Sequence, residues 1–185
     1  MKKRYLITGG TGFIGSALVQ EWLTQNIDVT VLTRNPEKAR QRWNGRVTAI
    51  KDLHEAAGEF EVLVNLAGEG IADARWSPER KRLLEQSRID LTNSLAIWAV
   101  ETGRRFGAFL SGSAIGYYGS CLPTAQKTCP THTEASPSGE DYAARLCQRW
   151  EEAAGSLSGL CDRTMILRTG VVLGQNGGML KRLWL

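Results

Sequence analysis

The sequence predicts an α/β protein built on a parallel, doubly wound sheet with helices on both faces. Three observations carry this. Short apolar runs alternate along the chain with longer segments of helical period, the pattern of successive β–α units. The first such run is followed at once by glycines at 9, 10, 12 and 15 and then by Ser16-Ala-Leu-Val-Gln-Glu-Trp-Leu23, so strand, tight turn and helix succeed one another without a gap. The 185 residues are 42% apolar and 23% charged, ordinary for one soluble globular domain and sufficient for a full core.

The opening stretch is Tyr5-Leu-Ile-Thr-Gly-Gly-Thr-Gly-Phe-Ile-Gly15. Within it Gly10-x-Gly12-x-x-Gly15 has the dinucleotide-binding spacing. One glycine makes the turn, one lets a pyrophosphate approach the backbone, and one lets helix pack on strand. The helix start then offers unpaired N–H groups to phosphate. A glycine-rich turn of some other α/β protein is the plain alternative, but the strand–turn–helix context favours the nucleotide. A P-loop is disfavoured because no Gly-Lys-Ser/Thr closes the turn.

Asp28-Val-Thr-Val-Leu-Thr-Arg34 reads as the second strand, ending at Thr33-Arg34. An acidic residue in this slot holds the ribose 2′-OH of NAD, whereas an arginine accommodates the 2′-phosphate of NADP. The slot holds Thr33-Arg34-Asn35, with no carboxylate before Glu37, so NADP(H) is favoured over NAD(H). The same position also suits a solvated loop arginine. Asn35-Pro36-Glu37 supplies the cap, first-turn proline and first-turn acid of a short helix through Trp43.

Val47-Thr-Ala-Ile50 is a weakly marked third strand, and Glu61-Val-Leu-Val-Asn-Leu-Ala-Gly68 a stronger fourth. Ligands of doubly wound sheets sit at the carboxyl ends of strands. Asn65, Leu66, Ala67 and Gly68 are therefore candidates for cofactor contact, or simply a strand exit. Ser77-Pro78-Glu79 opens one long helix to about Glu101, with Arg88 inside it, either meeting phosphate or solvated. Phe106-Gly-Ala-Phe-Leu-Ser-Gly-Ser113 is the fifth strand. From Gly119 to Gly139 the composition is that of a long surface loop, a length that often carries function. Glu140-Asp141 begins a helix with Tyr142, Leu146, Trp150 and Ala153 on one face. Arg163-Thr-Met-Ile-Leu-Arg-Thr169 is the sixth strand, running on through Gly174.

Charge and cysteine content narrow the function classes. The net charge of +4 is spread along the chain, and its densest cluster, Arg80-Lys81-Arg82, suits an exposed helix face, so nucleic acid is not indicated. No apolar run approaches a membrane span, and the apolar run after Met1-Lys-Lys-Arg is interrupted by Gly9-Gly10, unlike a signal peptide. A cytoplasmic protein is expected. Cysteines 121, 129, 147 and 161 have no metal-ligand spacing and are expected reduced. His54 and His132 are too isolated to argue a triad or a metal site, and no metal is expected.

Together Thr8-Gly-Gly-Thr-Gly-Phe-Ile-Gly15, Asn65-Leu-Ala-Gly68, Ser111-Gly-Ser-Ala-Ile-Gly-Tyr-Tyr-Gly119 and Arg168-Thr-Gly-Val-Val-Leu-Gly174 resemble the extended branch of the short-chain dehydrogenase/reductase superfamily. More narrowly, Ala67-Gly-Glu-Gly-Ile-Ala-Asp73, Arg75-Trp76, Ser87-Arg88, Gly116-Tyr-Tyr-Gly119 and Trp150-Glu151 resemble its atypical, predicted sugar-nucleotide epimerase-like subgroup. The resemblance covers essentially the whole chain. It implies a Rossmann-type, three-layer fold, with NADP(H) met by Gly9, Gly10, Thr11, Gly12, Phe13, Ile14, Gly15, Thr33, Arg34, Leu66, Ala67, Arg88 and Val171. It also implies a small-molecule substrate, whose identity is not written in these residues, nor is the oligomeric state. Extended relatives continue into a smaller substrate-covering domain. The expected organisation is thus a dinucleotide-binding domain over 1–176 and a truncated tail over 177–185, with Met179, Leu180, Leu183, Trp184 and Leu185 able to form an amphipathic helix.

In that superfamily a Tyr-x-x-x-Lys pair does acid–base work beside a serine. Ser113 matches the serine and Tyr142 the tyrosine, making these the candidate catalytic residues. Leu146 stands where the lysine belongs, and Arg145 points about 100° away from that face. A phenol of pKa about 10 without a cationic neighbour is a poor base near neutrality. Losing a positioned acid–base group typically costs about 10² to 10⁴ in rate. Tyr117, Tyr118 and Glu134 are alternative proton carriers without a clear partner. Three readings stand: an NADP(H)-dependent epimerase or oxidoreductase acting on a carbinol or carbonyl carbon, a non-catalytic NADP(H)-binding partner module, or an impaired fragment of a longer enzyme.

Overall fold

The computed structural model describes residues 2–122, 128–174, 177 and 178. Six parallel strands form one sheet: β1 (Arg4–Thr8), β2 (Asp28–Leu32), β3 (Thr48–Ile50), β4 (Val62–Asn65), β5 (Phe106–Ala114) and β6 (Cys161–Thr169). Their spatial order is β3-β2-β1-β4-β5-β6, which reverses direction between β1 and β4. That is the doubly wound arrangement, and the reversal opens a crevice at the carboxyl ends of β1 and β4. There Thr8 is level with Asn65.

Helices cover both faces because both faces of each central strand are apolar. On one face Leu6, Leu63 and Phe109 meet Leu95, Trp98 and Ala99 of α4 (Leu91–Glu101) and Ala154 of α5 (Tyr142–Gly155). On the other, Ile7, Val31 and Val64 meet Val19 of α1 (Phe13–Thr24) and Ala39 of α2 (Pro36–Arg42). Neighbouring residues of one strand thus feed two cores, each fully buried side chain contributing about 1.5–3 kcal/mol. The expected caps form. Asn35 accepts from the N–H of Lys38, and Ser77 from that of Arg80 at the start of α3 (Pro78–Glu85). Asp141 accepts from Ala144 at the start of α5.

Several local expectations are corrected. The single helix expected from Ser77 to Glu101 is α3 and α4 joined by a wide π turn over Gln86–Asp90. Leu84 and Ile89 explain it. They are five residues apart yet share one small core with Leu146 and Trp150. A regular α-helix would set them about 140° apart, whereas an i→i+5 turn brings them to one face. The Arg80-Lys81-Arg82 run is not one solvated face. Arg80 is folded under the chain against Glu69, Lys81 lies over the Tyr142 ring, and only Arg82 stays exposed, near Glu79. β6 stops at Thr169, and Leu173–Gly174 instead pairs antiparallel with Gly177–Gly178.

The 119–139 loop is tied at its ends: Gly139 N–H donates to Tyr117, and Asp141 accepts from the N–H of Ser120. Its two cysteines, expected reduced, are paired: Cys121 and Cys129 form a disulfide with Cα atoms 5.7 Å apart. A pair eight residues apart follows no CxxC spacing, so the sequence pattern gave no sign of it. Cys147 and Cys161 are free and buried. The amphipathic helix expected over Met179–Leu185 lies outside the described residues. Among them, no helix is long and apolar enough to cross a membrane, and no three metal-ligating side chains cluster.

Candidate active site

The glycine turn joins β1 to α1 at the crevice. Gly9 has φ +69°, and a Cβ there would lie 2.5 Å from the Leu66 carbonyl carbon, so the turn rests directly on the exit of β4. Gly15 allows α1 to touch the turn: its Cβ would be 2.3 Å from Gly9 O. Gly10 is packed over Ile7, Val19 and Val31, whereas a Cβ on Gly12 would meet only Gly9 O, at 3.2 Å. Gly12 caps α1 without any side-chain bond, and the first turn carries no acid. The leading N–H groups of a twelve-residue helix are therefore left for an anion.

A cavity of about 550 Å³ opens here, within the size range of ligand pockets. Gly9, Thr11 and Gly12 form its floor, Thr33 and Arg34 one wall, and Leu66, Ala67 and Gly68 the other. Lining residues that the sequence reading did not name as cofactor contacts include Lys51 after β3, Glu69 after β4, Leu83 of α3, and Gln86 and Ser87 of the π turn. The Arg34 side chain is 92% exposed and reaches across to Glu69, Nη1 to Oε1 at 2.8 Å.

The other candidate cofactor residues stand behind this surface or beside it. Asn65 is fully buried, accepting from the Thr8 hydroxyl at 2.6 Å and donating to Thr92 at 2.8 Å. It supports the crevice from beneath. Arg88, in the π turn, donates to the carbonyls of Glu69 (2.8 Å) and Leu84 (3.2 Å) and lies over the Trp150 ring. Burial pushes its guanidinium pKa down. Its position under Gly68 braces the cavity wall. Phe13 packs against Gly174 and Gly177, Ile14 is part-exposed, and Val171 is exposed beyond β6.

Towards the carboxyl ends of β5 and β6 the structure joins residues from β5, α5 and β6. The buried Ser113 hydroxyl donates to Glu151 Oε1 at 2.5 Å. Arg168 clamps the same carboxylate, Nε to Oε1 at 2.9 Å and Nη2 to Oε2 at 2.8 Å. Nη1 of Arg168 donates to the Tyr118 hydroxyl (3.0 Å) and the Glu134 carbonyl (3.1 Å). Its carbon centre sits 3.5 Å above the Tyr117 ring, and Tyr118 stacks on His132. The hydrogen bond from Glu151 pushes the Arg168 pKa up. With its one proton committed to Glu151, Ser113 meets any further group through its lone pairs.

Tyr142 is held elsewhere. Its hydroxyl donates to the Lys81 carbonyl at 3.1 Å, and its ring meets Trp76 edge-on with the Lys81 ammonium above it. Burial, then the Glu85 charge, pushes its pKa up. Glu151 lies nine residues further along α5, about 13 Å by helical rise. Ser113 and Tyr142 thus share no hydrogen bond, and Leu146, in place of a lysine, is buried in the small core with Ile89. Cys147, whose thiol burial pushes up, stands one turn before Glu151 and beside Ser113. Glu151 and Arg168 were visible only as parts of family motifs: they are 17 residues apart on different elements, and no spacing rule links them.

The chain matches the NAD dependent epimerase/dehydratase family over residues 5–182. It is 36% identical over 183 residues to a chloroplastic SDR39U1 homologue, an epimerase family protein of Arabidopsis thaliana, covering 94% of this chain and 50% of that protein. It is 35% identical to the epimerase family protein SDR39U1 of Bos taurus, covering 95% of this chain and 56% of that protein. The chain thus spans little more than half the length of these relatives. Among solved structures it is similar to human SDR39U1 (isoform 2) crystallised with NADPH, with TM-score 0.78 and 28% identity over 98% of this chain and 58% of that one. It is also similar to a nucleoside-diphosphate sugar epimerase from Corynebacterium glutamicum, with TM-score 0.76 and 30% identity over 99% of this chain and 37% of that one.

Proposed function

The chain belongs to the NAD dependent epimerase/dehydratase family, and from that premise we propose that it binds NADP(H) across the ends of β1, β2 and β4. The cofactor serves hydride exchange at a carbinol or carbonyl carbon of a small molecule, with sugar nucleotides the class to test first. The observation that carries this reading is the cavity, lined both by Gly12 at the uncapped start of α1 and by Arg34, with no carboxylate between β2 and Glu37. The helix start suits the pyrophosphate and Arg34 the 2′-phosphate. NADPH in the related human structure supports the same choice. When bound, the nicotinamide supplies a hydride acceptor or donor.

In this reading the chain's own groups bind and orient. Ser113, its proton given to Glu151, receives a hydrogen bond from a substrate hydroxyl, and the bidentate Arg168 keeps Glu151 from turning away. Tyr142 is the acid–base candidate by family position. A cytoplasmic setting with its NADPH pool belongs to the same reading. One observation favours a second reading, a non-catalytic NADP(H)-binding module: the Tyr142 hydroxyl is already spent on a backbone carbonyl, with leucine one turn on.

Fluorescence titration with NADPH and NADH tests the cofactor. Arg34→Ala should weaken NADPH about 10- to 150-fold, the loss of one hydrogen bond to a charged group, and leave NADH within about twofold. Equal losses for both cofactors refute the 2′-phosphate role. A screen of nucleotide sugars by NADPH absorbance separates the two readings: turnover that falls in both Ser113→Ala and Tyr142→Phe supports the enzyme, and turnover indifferent to both removes these residues from the chemistry.

A further inference from the structure

Two cations flank the far end of the cavity, and they are differently occupied. The Lys51 ammonium makes no ion pair or side-chain hydrogen bond among the described residues. Arg34, though 92% exposed, is held at 2.8 Å by Glu69 from the opposite wall. Glu69 is itself backed by a second cation: Arg80 Nη1 lies 3.7 Å from Oε2, the oxygen Arg34 does not use. The Arg80 side chain is only 14% exposed and also donates to the Gly70 carbonyl. The Glu69 N–H is fixed by the Ser87 hydroxyl at 3.0 Å.

This geometry has a directional consequence. If Arg34 leaves, Glu69 keeps a partner, so no part-buried carboxylate is stranded and the cost of release is that of one exposed ion pair. If Glu69 leaves, the part-buried Arg80 keeps only Asp73, at 3.9 Å, and the Gly70 carbonyl, which is the costlier change for a side chain 14% exposed. The mobile member is therefore Arg34. A carboxylate holding it from across the cavity occupies the guanidinium that a 2′-phosphate needs.

We propose that Glu69 is a built-in competitor of the 2′-phosphate: NADPH docks first on the unpaired Lys51 and then exchanges Arg34 away from Glu69. The inference rests on the NADP(H) reading above and adds to it a second phosphate anchor and a specificity-setting carboxylate. A dinucleotide lacking the 2′-phosphate has nothing to exchange for Glu69, so it leaves the bridge shut. Because an exposed ion pair is weak and easily screened, the bridge moderates NADPH affinity without blocking it.

The test is a set of NADPH and NADH titrations on wild type, Glu69→Gln, Lys51→Met and the double variant Arg34→Ala/Glu69→Gln, each first checked for an unchanged melting temperature. Glu69→Gln should tighten NADPH about threefold to fivefold, the equivalent of one surface ion pair, with NADH within twofold. In the Arg34→Ala background the same substitution should give no gain. Lys51→Met should weaken NADPH at least fivefold and spare NADH, a readout that stands even where Glu69→Gln does not fold. A Glu69→Gln protein with unchanged NADPH affinity, a gain that survives loss of Arg34, or a Lys51→Met loss shared by NADH overturns the inference. A wild type that binds NADPH alongside any of these leaves the cofactor reading intact, whereas a wild type that binds neither cofactor overturns both.

Discussion

Replacing Asn65 by leucine tests what holds the crevice open. Asn65 is fully buried at the point where the strand order reverses, and its amide bridges three elements. Its oxygen takes the Thr8 proton at 2.6 Å, and its nitrogen donates to Thr92 at 2.8 Å. Thr92 still donates to the Arg88 carbonyl at 2.6 Å, so it loses only an incoming bond, about 0.5–1.5 kcal/mol. Thr8 is left a donor without an acceptor, at about 1–3 kcal/mol. The sum is about 1.5–4.5 kcal/mol out of a total stability of about 5–15. With a urea slope near 2 kcal/mol/M, the unfolding midpoint should fall by about 1–2 M. Adding Thr8→Val removes the stranded hydroxyl at the cost of the long bond it accepts from the Ala67 N–H, 3.3 Å, so the double variant should recover part of that loss. A single substitution costing under about 0.5 kcal/mol, or a double variant less stable than the single, refutes the reasoning.

Gly15→Ala should abolish measurable NADPH binding and lower the melting temperature, because its Cβ would meet Gly9 O at 2.3 Å and force helix and turn apart; binding within threefold of wild type in calorimetry counts against the turn's role. Asp141→Ala removes the cap of α5 and the tie to Ser120, and urea unfolding at pH 7 should show a loss of about 1 kcal/mol or more. Asp141→Asn keeps a cap but not the charge. The N–H of Ala144 foremost, helped by Ser120, holds the Asp141 carboxyl below its usual pKa, so its contribution is present above the unfolded value of about 3.9 and lost as pH falls through the folded one. The advantage of wild type over Asp141→Asn at pH 7 should therefore vanish in strong acid, and an advantage that persists there contradicts it.

How much was legible in the chain follows from how each feature is encoded. β1, the glycine turn and α1 are contiguous, and each glycine answers to a local demand, so one stretch declared the end of the sheet at which the cavity opens. Arg34 was legible because its slot is fixed by distance from that turn. Lys51 and Glu69 line the same cavity, yet they follow strands whose order in the sheet a sequence does not state. The π turn was hidden for another reason. Helical periodicity tolerates one extra residue in a long window, and only the shared burial of Leu84 and Ile89 requires it. The burial of Arg80 was hidden too, since a run of three cations suits a solvated face unless a carboxylate from another loop meets it.

At the carboxyl ends of β5 and β6, packing gives Ser113 a partner that family position does not name. Family position pairs Ser113 with Tyr142, but a hydroxyl proton is committed to whichever acceptor is nearest, and here that is Glu151. Leu146 in place of the lysine is one change with two effects. It withdraws a cation from the tyrosine, and it adds an apolar side chain to the core that Tyr142 flanks, with Leu84, Ile89 and Trp150. The same change that weakens Tyr142 as a base therefore improves the packing that anchors its ring. A cation hydrogen-bonded to a phenol is supplied by Arg168, which donates to the Tyr118 hydroxyl and arrives from β6. Acid–base chemistry that survives Tyr142→Phe but not Tyr118→Phe or Arg168→Gln locates the proton carrier at Tyr118, on the turn after β5, beside β6; chemistry lost in Tyr142→Phe alone returns it to α5.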